Sequence, residues 1–163
     1  MSEPGPSRRS LLRVLATAPL AALVSGQRAE ARDYASAAEV LAEIDRLEAS
    51  LDARLGALTI TVAAAGALAR SVQADHDRHR RARAGLRRRL GLAPRRERAA
   101  AAGAPPSVEV LRAIAQDLVH AHAEGLPALR DAAAVDLLAR NMVDDARHLA
   151  ILQMWVEAEG QGG

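Results

Sequence analysis

Five histidines and twenty carboxylates carry whatever chemistry this 163-residue chain performs, because it contains no cysteine. Without thiolates, a metal site must be built from imidazole and carboxylate. Several of these residues stand where apolar side chains belong. Glu48 lies on a helical seam with Leu41, Ile44, Leu51 and Leu55, and Asp45 lies beside it. A second seam reads Val62, Ala65, Ala69, Val72, His76, His79, Arg83, Leu86, Leu90 in unbroken three/four spacing. A third segment places Asp117 next to Leu118 and three residues from Ile114, with His120 and Glu124 further on. The fourth seam runs Val135, Leu138, Met142, Asp145, Leu149, Leu152, Val156, and His148 follows Asp145 by one turn.

Burying an unpaired charge is costly. Four apolar stripes, each broken near mid-length by acid or imidazole, therefore point to one shared polar centre. Its candidate ligands are Asp45, Glu48, His76, His79, Asp117, Asp145 and His148. The choice between Asp45 and Glu48 stays open on the first seam. His120 and His122 project to different sides of a helix, so at most one is expected to face inward. Blander readings exist for each pair. His76 and His79 are flanked by Asp75, Asp77, Arg78 and Arg80, as on a solvated face, and Asp145 has Arg147 and Arg140 nearby as salt-bridge partners. Spacing favours the centre. Asp45 and His76 are 31 residues apart and Asp117 and Asp145 are 28 apart, so each pair sits at similar height in a hairpin whose turn lies midway. A pair at i, i+3 shares one helix face, and acids on two helices with such pairs on the other two are the pattern of a dimetal bundle.

The elements that position these residues are all helices. Phe is absent, Tyr and Trp occur once each, and Ala, Leu, Arg and Glu, all helix formers, are abundant. Periodicity predicts helices over about 36–57, 61–90, 108–124 and 132–157, with Ser107 and Asp131 as N-caps; Gly56 and the β-branched run from Thr59 to Val62 suggest the first turn, with one very long helix as the alternative. Gly91 to Ser107, rich in Gly, Pro, Ala and Arg, reads as a linker, and Gly125-Leu126-Pro127 breaks the third helix from the fourth. The expected fold is an up-down antiparallel four-helix bundle over 32–163, with a longer crossover at 91–107 between helices two and three.

Residues 1–31 read differently. Arg8 and Arg9 precede a short apolar run, Leu11 to Val24, and Ala29-Glu30-Ala31 offers a cleavage site. The run is too short to span a bilayer, and Ser-Arg-Arg-Ser-Leu-Leu resembles a twin-arginine export signal. Export to the periplasm or extracytoplasmic envelope is the expectation.

Charge in the remaining chain is unevenly placed. Ten arginines and a single acid, Glu97, lie between Arg78 and Arg98, against eight arginines and seventeen acids elsewhere in 32–163. Such a run is commonly a solvated face. Its functional reading is attraction to an anionic surface or a protein partner. Nucleic acid ranks last, since no aromatic residue interleaves the arginines as a stacking platform. A homo-oligomer is also compatible with a bundle of this kind.

The segment Asp144-Asp145-Ala146-Arg147-His148-Leu149 resembles the last helix of ferritin-like domain proteins, which often reads E-A-R-H before apolar residues. Ile44-Asp45-Arg46-Leu47-Glu48-Ala49 looks like their first helix and Asp75-His76-Asp77-Arg78-His79 is similar to their second. Asp117 and Glu124 take the places of the third-helix Glu and its following Tyr. The resemblance covers about 37–157. It implies a ferritin-like bundle and a central metal site taking iron (di-iron), manganese or zinc, with di-metal oxidoreductase-like activity or metal holding as its use. Asp45, His76, Asp117 and Asp145 stand where the family has Glu, and Asp52 and Glu124 where it has Tyr, which implies the fold with a site altered or lost. The competing expectation is a metal-free bundle that binds a partner or serves as a structural subunit in the cell envelope.

Overall fold

A computed structural model describes residues 32–58, 65–95 and 106–160. The segment 1–31 expected to be an export signal, residues 59–64 where the first interhelical break is expected, most of the expected crossover (96–105) and the last residues, 161–163, lie outside the described residues. Four helices carry the fold: α1 (Ala37–Leu58), α2 (Ala65–Arg89), α3 (Val108–Gly125) and α4 (Ala132–Gly160). A 3-10 turn, Leu126–Ala128, joins α3 to α4, and no strand occurs among the described residues.

Local chemistry sets the helix ends. The Ser107 hydroxyl accepts from the Val110 N–H at 3.4 Å, and Asp131 Oδ1 accepts from the Ala134 N–H at 2.8 Å. Both are N-caps that satisfy otherwise orphaned donors. Helix α2 ends at Gly91, whose φ of 65° is the left-handed conformation that glycine tolerates best. There the Leu92 N–H donates to the Arg87 carbonyl at 2.9 Å and the Gly91 N–H to the Arg88 carbonyl at 3.2 Å. That is a Schellman ending, and it turns the chain back against the helix.

Helix α1 packs against α2 and α3, and α4 packs against the same two. The space enclosed by this ring is filled by Leu41, Ile44, Leu51, Leu55, Leu111, Leu118, Leu138, Leu149 and Leu152, all fully buried. Gly125 allows α1 and α3 to close tightly, since a Cβ there would strike the Val40 side chain. Burial of these seams is the main stabilising term, and it fixes the rotation of each helix about its axis. Whatever polar residue shares a seam is thereby carried inside.

The arginine stretch is not one solvated face. Arg83 is only 1% exposed and Arg87 9%, while Arg81, Arg88 and Arg89 are exposed. The three/four seam of α2 passes through Arg83, so the same rotation that buries Val72 and Leu86 buries this guanidinium.

Candidate metal centre

Partners on α2 descend as positions on α1 ascend. Asp45 meets Arg83 and Arg87, Glu48 meets Arg83 and His79, and Asp52 meets His76 and Arg80. The 31-residue separation expected for Asp45 and His76 is realised instead by Glu48 and His79. At the height of His76 stands Asp52, about two turns from Asp45. A similar reversal relates α2 to α4, where Asp75 meets His148 and Arg78 and His79 meet Asp144.

Asp145 is the hub. It is 1% exposed, and its Oδ2 lies 3.0 Å from His122 Nε2. Its Oδ1 faces His76 Nε2 at 3.3 Å, His148 Nδ1 at 3.7 Å and His79 Nδ1 at 3.9 Å. Oδ1, His76 Nε2 and His148 Nδ1 are all buried without a hydrogen-bond partner. Buried polar atoms seldom stay unpaired, and here three of them converge. Two ligand atoms on one ion, each at about 2.1 Å, lie roughly 3.0–3.4 Å apart, close to the separations found.

The far side of each imidazole is held by another carboxylate. His76 Nδ1 lies 2.7 Å from Asp52 Oδ1, and His148 Nε2 lies 3.0 Å from Asp75 Oδ2. Such outer carboxylates fix the ring orientation and tautomer of metal-ligating histidines, presenting the other nitrogen inward. His76, Asp145 and His148 therefore form one group whose ligand atoms are close enough to hold a metal ion.

Glu48, His79 and Asp145 form a second such group, but its carboxylate is already committed. Both oxygens of Glu48 accept from the Arg83 guanidinium, Oε1 at 2.8 Å from Nη1 and Oε2 from Nη2. A bidentate guanidinium is a strong partner for a carboxylate, and it supplies there the positive charge that an ion would otherwise bring. Burial opposes charge on Glu48, yet Arg83 and His79 hold it down to about 2. Burial likewise opposes charge on Asp145, and His122, His148 and His76 keep its carboxyl well below the usual range.

The expected ligands separate accordingly. His76, His79, Asp145, His148 and Glu48 meet at the centre. Asp45 does not, because its carboxylate is taken by Arg83 Nε at 2.9 Å and Arg87 Nη2 at 2.8 Å. Asp117 lies on the outer side of α3, its side chain 41% exposed and 3.6 Å from Arg32. The residue α3 does send inward is His122, and His120 is buried as well, so the limit of one inward histidine does not hold for burial. His122 was legible: Leu111, Ala115, Leu118 and His122 continue one three/four seam, from which Asp117 is a step away. Asp52, Asp75 and Asp144 carried no such signal, since they flank the seams. Comparison with known proteins finds no matching family model, curated protein or solved structure.

A measurable consequence follows for the metal-free centre. Burial disfavours protonated His76, but Asp145, Asp52 and Glu48 push it up to about 10 from 6.5. A folded-state value above the unfolded one contributes stability in full below pH 6.5, and that contribution is lost as pH rises through 10. With chelator present, thermal melts should therefore show a falling midpoint between those limits. His76→Gln should flatten that decline. A midpoint independent of pH across the range would show that His76 is not held by these carboxylates.

Proposed function

We propose that this chain is an exported, ferritin-like helical bundle that holds one divalent transition-metal ion at His76, Asp145 and His148. The observation that carries the reading is the convergence of three buried, unpartnered ligand atoms whose outer sides are already oriented by carboxylates. Two imidazoles and one carboxylate suit iron, manganese or zinc, and they leave coordination positions open for water or substrate. Iron or manganese would supply redox chemistry there, and zinc Lewis-acid chemistry. The residues' part is to position the donors, keep both inward nitrogens free and exclude bulk water.

Support for the ferritin-like reading is partly topological. The reversed partner order makes α1/α2 and α2/α4 antiparallel pairs, and the short turn at Leu126–Ala128 makes α3/α4 another. On that reading α3 runs parallel to α2, an order of up, down, down, up rather than the expected up-down alternation, as in bundles with one long connection. The twin-arginine-like start supports export. Among the described residues no helix is long and apolar enough to cross a membrane.

The test is metal content. The full-length chain, made without a histidine tag, is reconstituted separately with iron(II), manganese(II) and zinc(II), then desalted and subjected to elemental analysis. One equivalent of at least one ion per chain is expected. Far less than one equivalent of all three overturns the proposal.

One observation favours the metal-free alternative, a partner-binding or structural bundle. With His76 protonated, the buried cations Arg83, Arg87 and His76 match the buried anions Asp45, Glu48 and Asp145. The centre is thus charge-balanced without an ion, which lowers the cost that burial of charge imposes. In that case His148 and His122 keep their unpaired nitrogens, a cost the metal reading removes for His148.

A further inference from the structure

Arg83 belongs to a second feature besides the imidazole centre. A cavity of about 300 Å³ opens at the C-terminal end of α2, lined by Arg80, Arg83, Arg87, Arg88 and Arg95 with Asp45 as the one acidic residue among the described residues. The Schellman turn at Gly91 makes it concave, because it folds the following residues back, so that Leu92, Pro94 and Arg95 form a wall. Arginines at a helix C-terminus are expected from the helix dipole alone. A dipole, however, requires only solvated cations and does not gather them around a space.

The pairing within the wall is incomplete. Arg80 is matched by Asp52 at 2.7 Å and by Asp77, and Arg83 by Glu48. For Arg87, Arg88 and Arg95 the one carboxylate remaining among the described residues is Asp45, which Arg83 Nε also bonds at 2.9 Å and which Arg95 Nε approaches to 4.0 Å. Arg87 Nη2 donates to its Oδ2 at 2.8 Å, while Arg95 Nη2 donates to its backbone carbonyl at 3.3 Å. The Arg88 guanidinium has no hydrogen bond or ion pair among the described residues. Among the described residues, three guanidinium groups against one carboxylate leave an excess of two positive charges. Guanidinium forks match the geometry of phosphate and carboxylate oxygens, and a space this small admits a small ligand only.

We infer that this cavity is a binding site for a small dianionic oxyanion, of which inorganic phosphate is the simplest. The site is independent of any metal at His76, Asp145 and His148. The anion bridges Arg87, Arg88 and Arg95, relieving their mutual repulsion and tying the start of the crossover to α2.

Titration calorimetry of the full-length chain with inorganic phosphate, in chelator and at low ionic strength, tests this. Saturable binding of one phosphate per chain is expected. Arg88→Ala and Arg95→Ala should each weaken it about tenfold, the loss of one charge-assisted contact. Arg88→Ala should leave the melting temperature of the phosphate-free protein unchanged, so lost binding cannot be ascribed to unfolding. Arg70→Ala, at the exposed opposite end of α2, should bind as wild type. Displacement of bound phosphate by phosphatidic acid vesicles would assign the anion to a lipid headgroup, and failure to displace it to a free oxyanion. Absence of saturable binding at millimolar phosphate overturns the inference, as does an equal loss in Arg70→Ala and Arg88→Ala, which marks diffuse surface attraction.

Discussion

If His76, Asp145 and His148 hold an ion as proposed, Asp145→Asn should lower the affinity for it by more than about a hundredfold, above the range seen when only an outer partner of a ligand is removed. Asp145 is the carboxylate common to both ligand groups, and Oδ1 is the atom on which the imidazoles converge. Asparagine keeps the shape but removes the charge that offsets the ion. His148→Ala should have an effect of similar size, because His148 Nδ1 has no other use. His79→Ala should leave most of the affinity, since the group to which His79 belongs is closed by Arg83. Asp117→Asn, on the outer side of α3, should leave all of it. The measurement is metal content and competition with a chelator of known affinity. Wild-type affinity in Asp145→Asn would remove the site, while a loss in His79→Ala equal to that in His148→Ala would move it toward Glu48.

Arg83→Met lowers stability by about 3–5 kcal/mol, the usual cost of removing one partner from a buried ion pair. Arg83 is 1% exposed, and among the described residues its guanidinium is the only group bonding both Glu48 and Asp45. Asp45 retains Arg87, but Glu48, fully buried, is left with His79 as its one hydrogen-bond partner among the described residues. In a domain of this size the melting temperature should fall by more than about 10 °C. The double change Arg83→Met with Glu48→Gln should recover much of the loss, because no uncompensated charge then stays inside. Arg81→Met, an exposed neighbour on the same helix, should change stability by less than about 0.5 kcal/mol. All three are read from thermal melts in chelator. If Arg83→Met melts like Arg81→Met, the pair contributes nothing and the burial of Arg83 is incidental.

The same two residues show how far the sequence could be read. Arg83 lay on an unbroken seam with Val72, His76 and Leu86, and that position alone foretold burial. Its membership in a run of ten arginines argued the other way. Periodicity was the better guide because a helix has one rotation about its axis, fixed by its large apolar residues, and composition does not alter it. His122 repeats the lesson: its seam with Leu111, Ala115 and Leu118 was present, whereas Asp117, beside Leu118 and three residues from Ile114, stands one step off it.

Helix existence, helix ends and the inward set were determined by the sequence itself. Apolar spacing defines each buried face, Ser107, Asp131 and Gly91 mark termini by local hydrogen bonds and backbone freedom, and a polar residue on a seam is buried with it. These are effects within one helix or one turn, where the interacting groups are close in sequence. The partnering of charges was decided only by tertiary structure. Whether Glu48 faces a metal or a guanidinium, and whether Asp52 or Asp45 stands level with His76, depends on the axial offset between helices. One helical turn advances the chain only about 5.4 Å, so a shift of that size exchanges one partner for the next while leaving every seam intact. Seams specify which face is buried. The offset follows from how leucines interlock across the ring and how closely Gly125 lets α1 approach α3, and those contacts join residues that no local pattern connects.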